Sequence, residues 1–313
     1  MKIVFMGTPD YAVKTLEAVI NAGHEVAAVF AQPDKPVGRK HIITPPPVKV
    51  CAVGNNIPVY QPENLKNGEA EEILKNISPE AIVVVAYGKI LPKSILNIPK
   101  YGCVNGHASL LPAYRGASPI QWSIVCGENV TGVTTMYMNE GMDTGDILEQ
   151  TEVVIGEQET AEELFERLSL ISAELMVSTL EKLEKDEIIP KKQDESKASY
   201  APIIKKEMAL LDFKVKTAKE LFNAVRGYYS WPCAYFFLNG KRIKVIKALV
   251  GEETDQKAGT VIANSDELVI ACEGGTSIRL TALQPEGSKQ MTAKQFLCGN
   301  SIACGTVIGE GNG

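Results

Sequence analysis

Residues 80–88 read EAIVVVAYG, an apolar run in which polar and apolar positions do not alternate. A strand with one wet face alternates, so this run reads as a central strand covered on both faces. Such strands belong to largely parallel sheets whose crossovers place helices on each side. The flanking sequence supplies those crossovers. KIVFMG (2–7) has the same buried character, and YAVKTLEAVINAG (11–23) sets Ala12, Leu16, Val19 and Ile20 at helical spacing before Gly23. HEVAAVFAQ (24–32) and IPVYQ (57–61) read as strands, with a helix near 69–76. Between them, PDKPVGRKHIITPPPVK (33–49) has five prolines and four basic residues and is expected to hold no regular element.

Further along, TGVTTMYM (131–138) and DILEQTEVVI (146–155) are strand-like and flank the loop NEGMDTG. Residues 160–186 predict one long amphipathic helix, with Thr160 as N-cap and Glu163 closing a capping box. Residues 188–207 are polar, contain two prolines and read as a linker. A helix over 217–227 precedes short strand-like segments, with LNGKR as a hairpin turn. These predict a small barrel, OB-like in type. The expected fold is thus α/β: a Rossmann-like, mostly parallel N-terminal sheet over 1–188, a linker over 189–206 and a small C-terminal β-barrel over 207–313.

The bulk properties narrow the class. The chain has 313 residues, 45% hydrophobic and 22% charged, enough for two ordinary domains. No apolar run approaches the about 20 residues of a membrane span, and MKIVFMGTPD reads as a first strand rather than a signal peptide. Seven scattered cysteines without a Cys-x-x-Cys pair argue against a disulfide framework, and with three histidines against a metal site. The expected setting is the reducing cytoplasm. The net charge of −6 is uneven: residues 1–204 hold 18 basic against 27 acidic residues, residues 205–313 hold 14 against 11. The basic C-terminal part is suited to a polyanion, though so small a balance also arises by chance.

A strand followed by a glycine turn invites a dinucleotide-binding reading. MGTPDYA, however, has one glycine where that fingerprint needs three, and no Gly-Lys-Ser/Thr follows. Ligands of open α/β sheets still gather at the carboxyl ends of the strands. That rim takes in residues near 7, 32, 88 and 105–109. In YGCVNGHASLLPAYRGASPI (101–120), Asn105 and His107 are two apart and share one face if the segment is a strand. An Asn amide can donate to an oxyanion, and an imidazole moves protons near neutral pH. Asp143 in EGMDTGD is a carboxylate able to orient that imidazole. An acyl-type transfer to an amine needs this set, and no activated Ser or Cys nucleophile is evident, although Ser109 is near. On the residues alone, an ordinary structural pair at a strand end explains Asn105 and His107 as well.

Longer motifs carry a resemblance over nearly the whole chain. FMGTPDYAV, QPDKPVGRK with TPPPVK, VVVAYGKILP, HASLLPAYRGASPIQW, GMDTGDIL, SWPCAYF and LQPEGSKQMTAKQFL resemble the methionyl-tRNA formyltransferase family. Asn-x-His, Ser-Leu-Leu-Pro and Asp-Thr-Gly are shared by the wider 10-formyltetrahydrofolate-dependent formyltransferases; the 33–49 loop and the C-terminal motifs are more specific. The resemblance implies transfer of the formyl group of 10-formyltetrahydrofolate, a co-substrate, to the α-amino group of methionyl initiator tRNA for translation initiation. The composition leads us to expect no metal and no membrane, and a monomer is the simplest expectation for the oligomeric state, which the sequence leaves open. By motif match the resemblance makes Asn105, His107 and Asp143 catalytic, and Ser109, Leu110, Leu111 and Pro112 the folate site, bordered by Tyr87 and Gly88. It gives Arg39 in the Pro/Gly loop contact with the tRNA, and makes 207–313 the tRNA-binding domain. Lys205, Lys206, Lys241, Arg242, Lys244 and Lys247 would form a tRNA-facing surface, while Arg115 would hold the core together. One departure is Gly106, where the family usually carries a branched apolar residue. A strand glycine costs about 0.5–1 kcal/mol and is expected to loosen the Asn/His pair.

Two other readings compete. Other 10-formyltetrahydrofolate enzymes, such as a sugar-amine N-formyltransferase or a formyl-folate hydrolase fragment, share the motifs of 105–143. A non-catalytic RNA-binding protein with a vestigial transferase domain is the second. The loop around Arg39 and the C-terminal domain favour tRNA.

Overall fold

The computed structural model describes residues 1–38 and 41–308, and through the first two-thirds of them strands and helices alternate. In chain order these are β1 (Lys2–Gly7), α1 (Asp10–Asn21), β2 (Glu25–Phe30), β3 (Lys35–Val37), β4 (Ile42–Thr44), α2 (Pro47–Gly54), β5 (Val59–Tyr60), α3 (Glu69–Ile77) and β6 (Ala81–Val85). Then come α4 (Lys93–Leu96), β7 (Cys103–His107), β8 (Arg115–Gly116), α5 (Pro119–Val125), β9 (Val130–Tyr137), β10 (Ile147–Val154), α6 (Ala161–Glu184) and β11 (Tyr200–Ala201). The chain divides into two units. The first comprises Met1–Pro119, Val130–Val154 and Phe165–Ala201; the second comprises Ile120–Asn129, Ile155–Leu164 and Pro202–Gly313.

The first unit is built on a seven-stranded sheet in the order β10-β9-β7-β6-β1-β2-β5. The five strands from β7 to β5 run parallel, and β9 pairs antiparallel with both β7 and β10. β6, the run without alternation, sits in the interior of this order and is buried at every position. Val4, Met6, Phe30, Ile82, Val84, Leu74 and Leu91 form one core cluster on one side. Ile3, Phe5, Leu16 and Val19, of opposite parity or on α1, are equally buried. Two buried layers around one sheet follow from strands that are apolar on both faces.

The proline-rich segment is more regular than its composition predicts. Pro36 pairs with Ile43 in the two-stranded β3–β4 hairpin, where no second neighbour requires its missing N–H. Pro47 opens α2, where a proline removes only an N–H that has no helical partner. At Thr160 the expected capping box forms: Thr160 N donates to Glu163 Oε2 at 2.8 Å and Glu163 N donates to Thr160 Oγ1 at 3.3 Å.

The second unit contains α7 (Ala218–Gly227), β12 (Tyr235–Leu238), β13 (Lys241–Val250), β14 (Val261–Asn264), β15 (Leu268–Cys272), β16 (Thr276–Pro285), β17 (Met291–Thr292) and α8 (Ala293–Gly299). Its strands form an antiparallel sheet ordered β12-β13-β16-β15-β14, with β17 beside β16. The sheet is curled into a half-barrel around Leu221, Phe236, Val245, Ile270, Leu280 and Phe296. The hairpin expected at LNGKR joins β12 to β13.

Candidate active site

β7 reaches the carboxyl rim of the sheet with every residue buried. It is laddered by β6 on one side, up to Val84 opposite Asn105, and by β9 on the other, up to His107 opposite Thr134. Because β6 ends at Val85, His107 projects at the rim beyond its parallel neighbour. Strand alternation puts Asn105 and His107 on one face and Gly106 on the other. A Cβ at Gly106 would stand 3.1 Å from Ser172 Oγ, 3.4 Å from Met176 Cε and 3.5 Å from Val85 Cγ2. The glycine therefore marks a close approach of α6, and its backbone is laddered to Thr135 of β9. No other described residue hydrogen-bonds the Asn105 amide, which stays 8% exposed.

His107 is fixed by backbone. Its Nε2 lies 2.9 Å from the carbonyl oxygen of Tyr114, an acceptor only, so Nε2 carries the proton. Nδ1, which holds the lone pair in the neutral ring, lies 3.8 Å from Asp143 Oδ2. That carboxylate oxygen accepts the Gly116 N–H at 2.8 Å. Tyr114 and Asp143 both have left-handed backbone, φ +58° and +53°. Non-glycine residues hold that conformation only where their surroundings impose it. The Asp loop, between β9 and β10, is shaped by Asn139 Oδ1, which accepts from Gly141 N at 2.9 Å and Thr144 Oγ1 at 2.8 Å. At Gly145 a Cβ would collide with the Tyr137 carbonyl, so the turn closes only with glycine there.

The stretch expected as a linker, 189–206, is hydrogen-bonded to the first unit as far as Ala201. Lys191 exchanges two backbone bonds with Ile147, each 2.8 Å. β11 pairs with β8, and Ser199 Oγ accepts the Tyr114 N–H at 2.9 Å. Arg115 is 1% exposed and forks between two acceptors. Its Nη1 and Nη2 reach Glu195 at 2.8 and 2.7 Å, and its Nε and Nη2 reach Gln193 Oε1 at 3.1 and 2.8 Å. The Arg115 guanidinium holds the Glu195 carboxyl below its usual range. Gln193 Nε2 in turn donates to the Asp143 and Gly145 carbonyls, both at 2.8 Å. Arg115 was legible in the sequence as a core-holding residue. Gln193 and Ser199 were not, since they lie about 80 residues away in a polar run without periodicity.

Around this centre the other expected residues fall into two groups. Ser109 is fully buried, its Oγ donating to the Ala113 carbonyl at 2.6 Å. Leu110 packs over Gly132, and Leu111 clusters with Met136 and Ile147. The Leu111 carbonyl accepts from Gln150 at 3.0 Å and the Pro112 carbonyl from Ser199 N at 3.3 Å. The turn is thus rigid beside His107. Tyr87 sends its ring into the core, and burial pushes its hydroxyl up to about 12. Its carbonyl faces the rim, accepting from Thr8 and Gln32 at 3.1 and 3.0 Å. Gly88 follows at φ +78°, where a Cβ would stand 3.6 Å from Gln32 Nε2.

Arg39 lies outside the described residues. In the second unit, Arg242 and Lys244 sit on the face of β13 opposite Ile243 and Val245, and Lys241 and Lys247 are exposed on the same strand. Arg242 stacks 3.8 Å from the Tyr235 ring centroid. Lys205 and Lys206 begin a short turn leading to Leu210, which bridges to Tyr235 of β12. Among the described residues no group of three or more His, Cys, Asp or Glu converges to hold a metal ion.

Two family models match the chain: Formyl transferase over residues 1–180, and Formyl transferase, C-terminal domain, over 203–301. The methionyl-tRNA formyltransferase of Thermodesulfovibrio yellowstonii is 47% identical over 300 residues, spanning 96% of this chain and 96% of that one. That of Acidobacterium capsulatum is 48% identical over 311 residues, covering 99% and 100%. Among solved structures, HypX from Aquifex aeolicus in complex with tetrahydrofolic acid aligns with TM-score 0.64 at 18% identity, over 95% of this chain and 47% of that one. WlaRD, a sugar 3N-formyl transferase solved with dTDP and 5-N-formyl-THF, aligns with TM-score 0.67 at 21% identity, over 92% and 99%. These two share the fold.

Proposed function

Since the chain belongs to the methionyl-tRNA formyltransferase family, we propose that Asn105, His107 and Asp143 carry its reaction. The enzyme moves the formyl group of 10-formyltetrahydrofolate onto the α-amino group of methionyl initiator tRNA. The nitrogen lone pair attacks the formyl carbon, and the carbonyl electron pair moves onto oxygen. Asn105, whose amide is not engaged by another described residue, donates to that oxygen; one such donor is worth about 10²–10³ in rate. The attacking amine must lose a proton. His107 Nδ1 is the open acceptor because Nε2 is committed to Tyr114. The imidazolium that forms lies beside the Asp143 carboxylate, 3.8 Å away. Positioned proton transfer of this kind contributes about 10²–10⁴. Collapse breaks the bond between carbon and the folate nitrogen, which takes up the proton, and the pair held by oxygen returns to the carbonyl.

The observation that supports this reading most is the convergence of His107 and Asp143 on backbone groups of one further segment, the Tyr114 carbonyl and the Gly116 N–H. In the same reading, residues 1–188 form the catalytic domain, 189–206 join it to 207–313, and the latter binds tRNA. Ser109–Pro112 with Tyr87 and Gly88 border the folate, and Arg39 with the lysines and Arg242 of β13 and the 205–206 turn meet tRNA phosphates. The enzyme works as a monomer in the cytoplasm; no helix among the described residues is long and apolar enough to cross a membrane. The test is a purified assay offering methionyl initiator tRNA, a nucleotide-linked amino sugar, or water as acceptor. Formylation of the tRNA alone is expected. Preferential formylation of the sugar, or release of formate, would overturn the assignment.

A further inference from the structure

We propose that Gln193 is a positioning residue for the reaction, holding Asp143 in the conformation that meets His107. The inference rests on the reading of Asp143 given under Proposed function and extends it to a residue outside the recognised motifs. The orientation of the Gln193 amide is unambiguous. Its oxygen faces the Arg115 guanidinium, a donor only, and its nitrogen faces two carbonyls, acceptors only. The two carbonyls belong to Asp143 and Gly145, so one NH₂ group grips both sides of Thr144 in the tight turn. Asp143 sits there at φ +53°, which needs outside support in a residue with a side chain. Its carboxylate is held separately by Gly116 N. Gly116 adjoins Arg115, whose guanidinium anchors Gln193, so a closed circuit runs from the Gly116 N–H through Asp143 and Gln193 back to Arg115. Arg115 is itself anchored by Glu195. Main chain and carboxylate of Asp143 are thereby referenced to the same two residues, next to the Tyr114 carbonyl that holds His107.

Gln193→Glu isolates the donation. The variant keeps length and shape and still accepts from Arg115, but a carboxylate cannot donate to the two carbonyls. We expect kcat to fall at least ten-fold while KM for folate and for tRNA each changes less than three-fold. Combined with Asp143→Asn, the substitution should add less than two-fold to the loss of kcat, because it acts through Asp143. A purely structural role would lower the melting temperature equally in both backgrounds and leave no such dependence. If Asp143→Asn slows the enzyme and Gln193→Glu does not, or if the two losses multiply, the positioning role is overturned and the site reading survives. If Asp143→Asn is fully active, the site reading itself falls. Gln193→Ala, which opens space for water, replaces the Glu variant if that does not fold. Failure of both to unfold cooperatively would make Gln193 a fold-holding residue and overturn the proposal.

Discussion

Gly106 offers the sharpest quantitative test, because its two faces make opposite demands. Replacing a strand glycine by alanine reduces the entropy of the unfolded chain and gains about 0.5–1 kcal/mol where the backbone permits. Here it does, since Gly106 is not among the positive-φ residues. Against that gain stands one tight approach, 3.1 Å to Ser172 Oγ, with Met176 Cε and Val85 Cγ2 at 3.4 and 3.5 Å. Ser172 is small and Met176 is flexible, so a shift of a few tenths of an ångström suffices. Gly106→Ala should therefore be neutral or stabilising by up to about 0.5 kcal/mol. Gly106→Val adds two more carbons to the same gap, and overpacking of this kind costs about 1–3 kcal/mol. A gain of up to about 1 kcal/mol from strand propensity offsets part of it. The net expectation is about 1–2 kcal/mol of destabilisation, read in urea unfolding as a lower midpoint at unchanged slope. Ser172→Ala removes the nearest atom, so it should recover part of that loss in a double-mutant cycle. Equal stability of the Val and Ala variants, with no coupling to Ser172, would refute the packing argument.

Asp143→Asn should lower kcat about a hundred-fold or more while tRNA affinity hardly changes; a loss confined to soluble yield would mark Asp143 as structural. Arg39→Ala should raise KM for tRNA, and unchanged steady-state kinetics would remove that loop from recognition. The double variant Lys241→Ala/Lys244→Ala should make tRNA binding less salt-dependent, by about one unit of log–log slope for each phosphate no longer neutralised, measured by titration at several salt concentrations. The Glu195 carboxyl is depressed by Arg115, so its contribution is complete above the unfolded carboxyl range and is lost as pH falls through the folded value. The difference in melting temperature between wild type and Glu195→Gln should thus close as pH falls below about 4.

Local chemistry along the chain was enough for several features. The unalternating run at 80–88 called for a strand covered on both faces, and β6 is one. Thr160 and Glu163 set the start of α6 because a capping box involves residues three apart. The proximity of Asn105 and His107 followed from strand alternation. Regularity within 33–49 was hidden because Pro36 and Pro47 occupy the few strand and helix positions that tolerate proline, which composition does not distinguish. The segments 120–129 and 155–164 group with the second unit, an assignment made by packing between residues distant in sequence.

The sequence by itself determined the layered fold of the first unit and which side chains have the chemistry for acyl transfer, because periodicity and residue type are local properties. Only the tertiary structure decided what holds them. The tautomer of His107 depends on a carbonyl seven residues away, and the posture of Asp143 on Gly116, Arg115 and Gln193. Those partners act through backbone groups that every residue carries, or through polar side chains without pattern. Folding alone brings them within hydrogen-bonding distance.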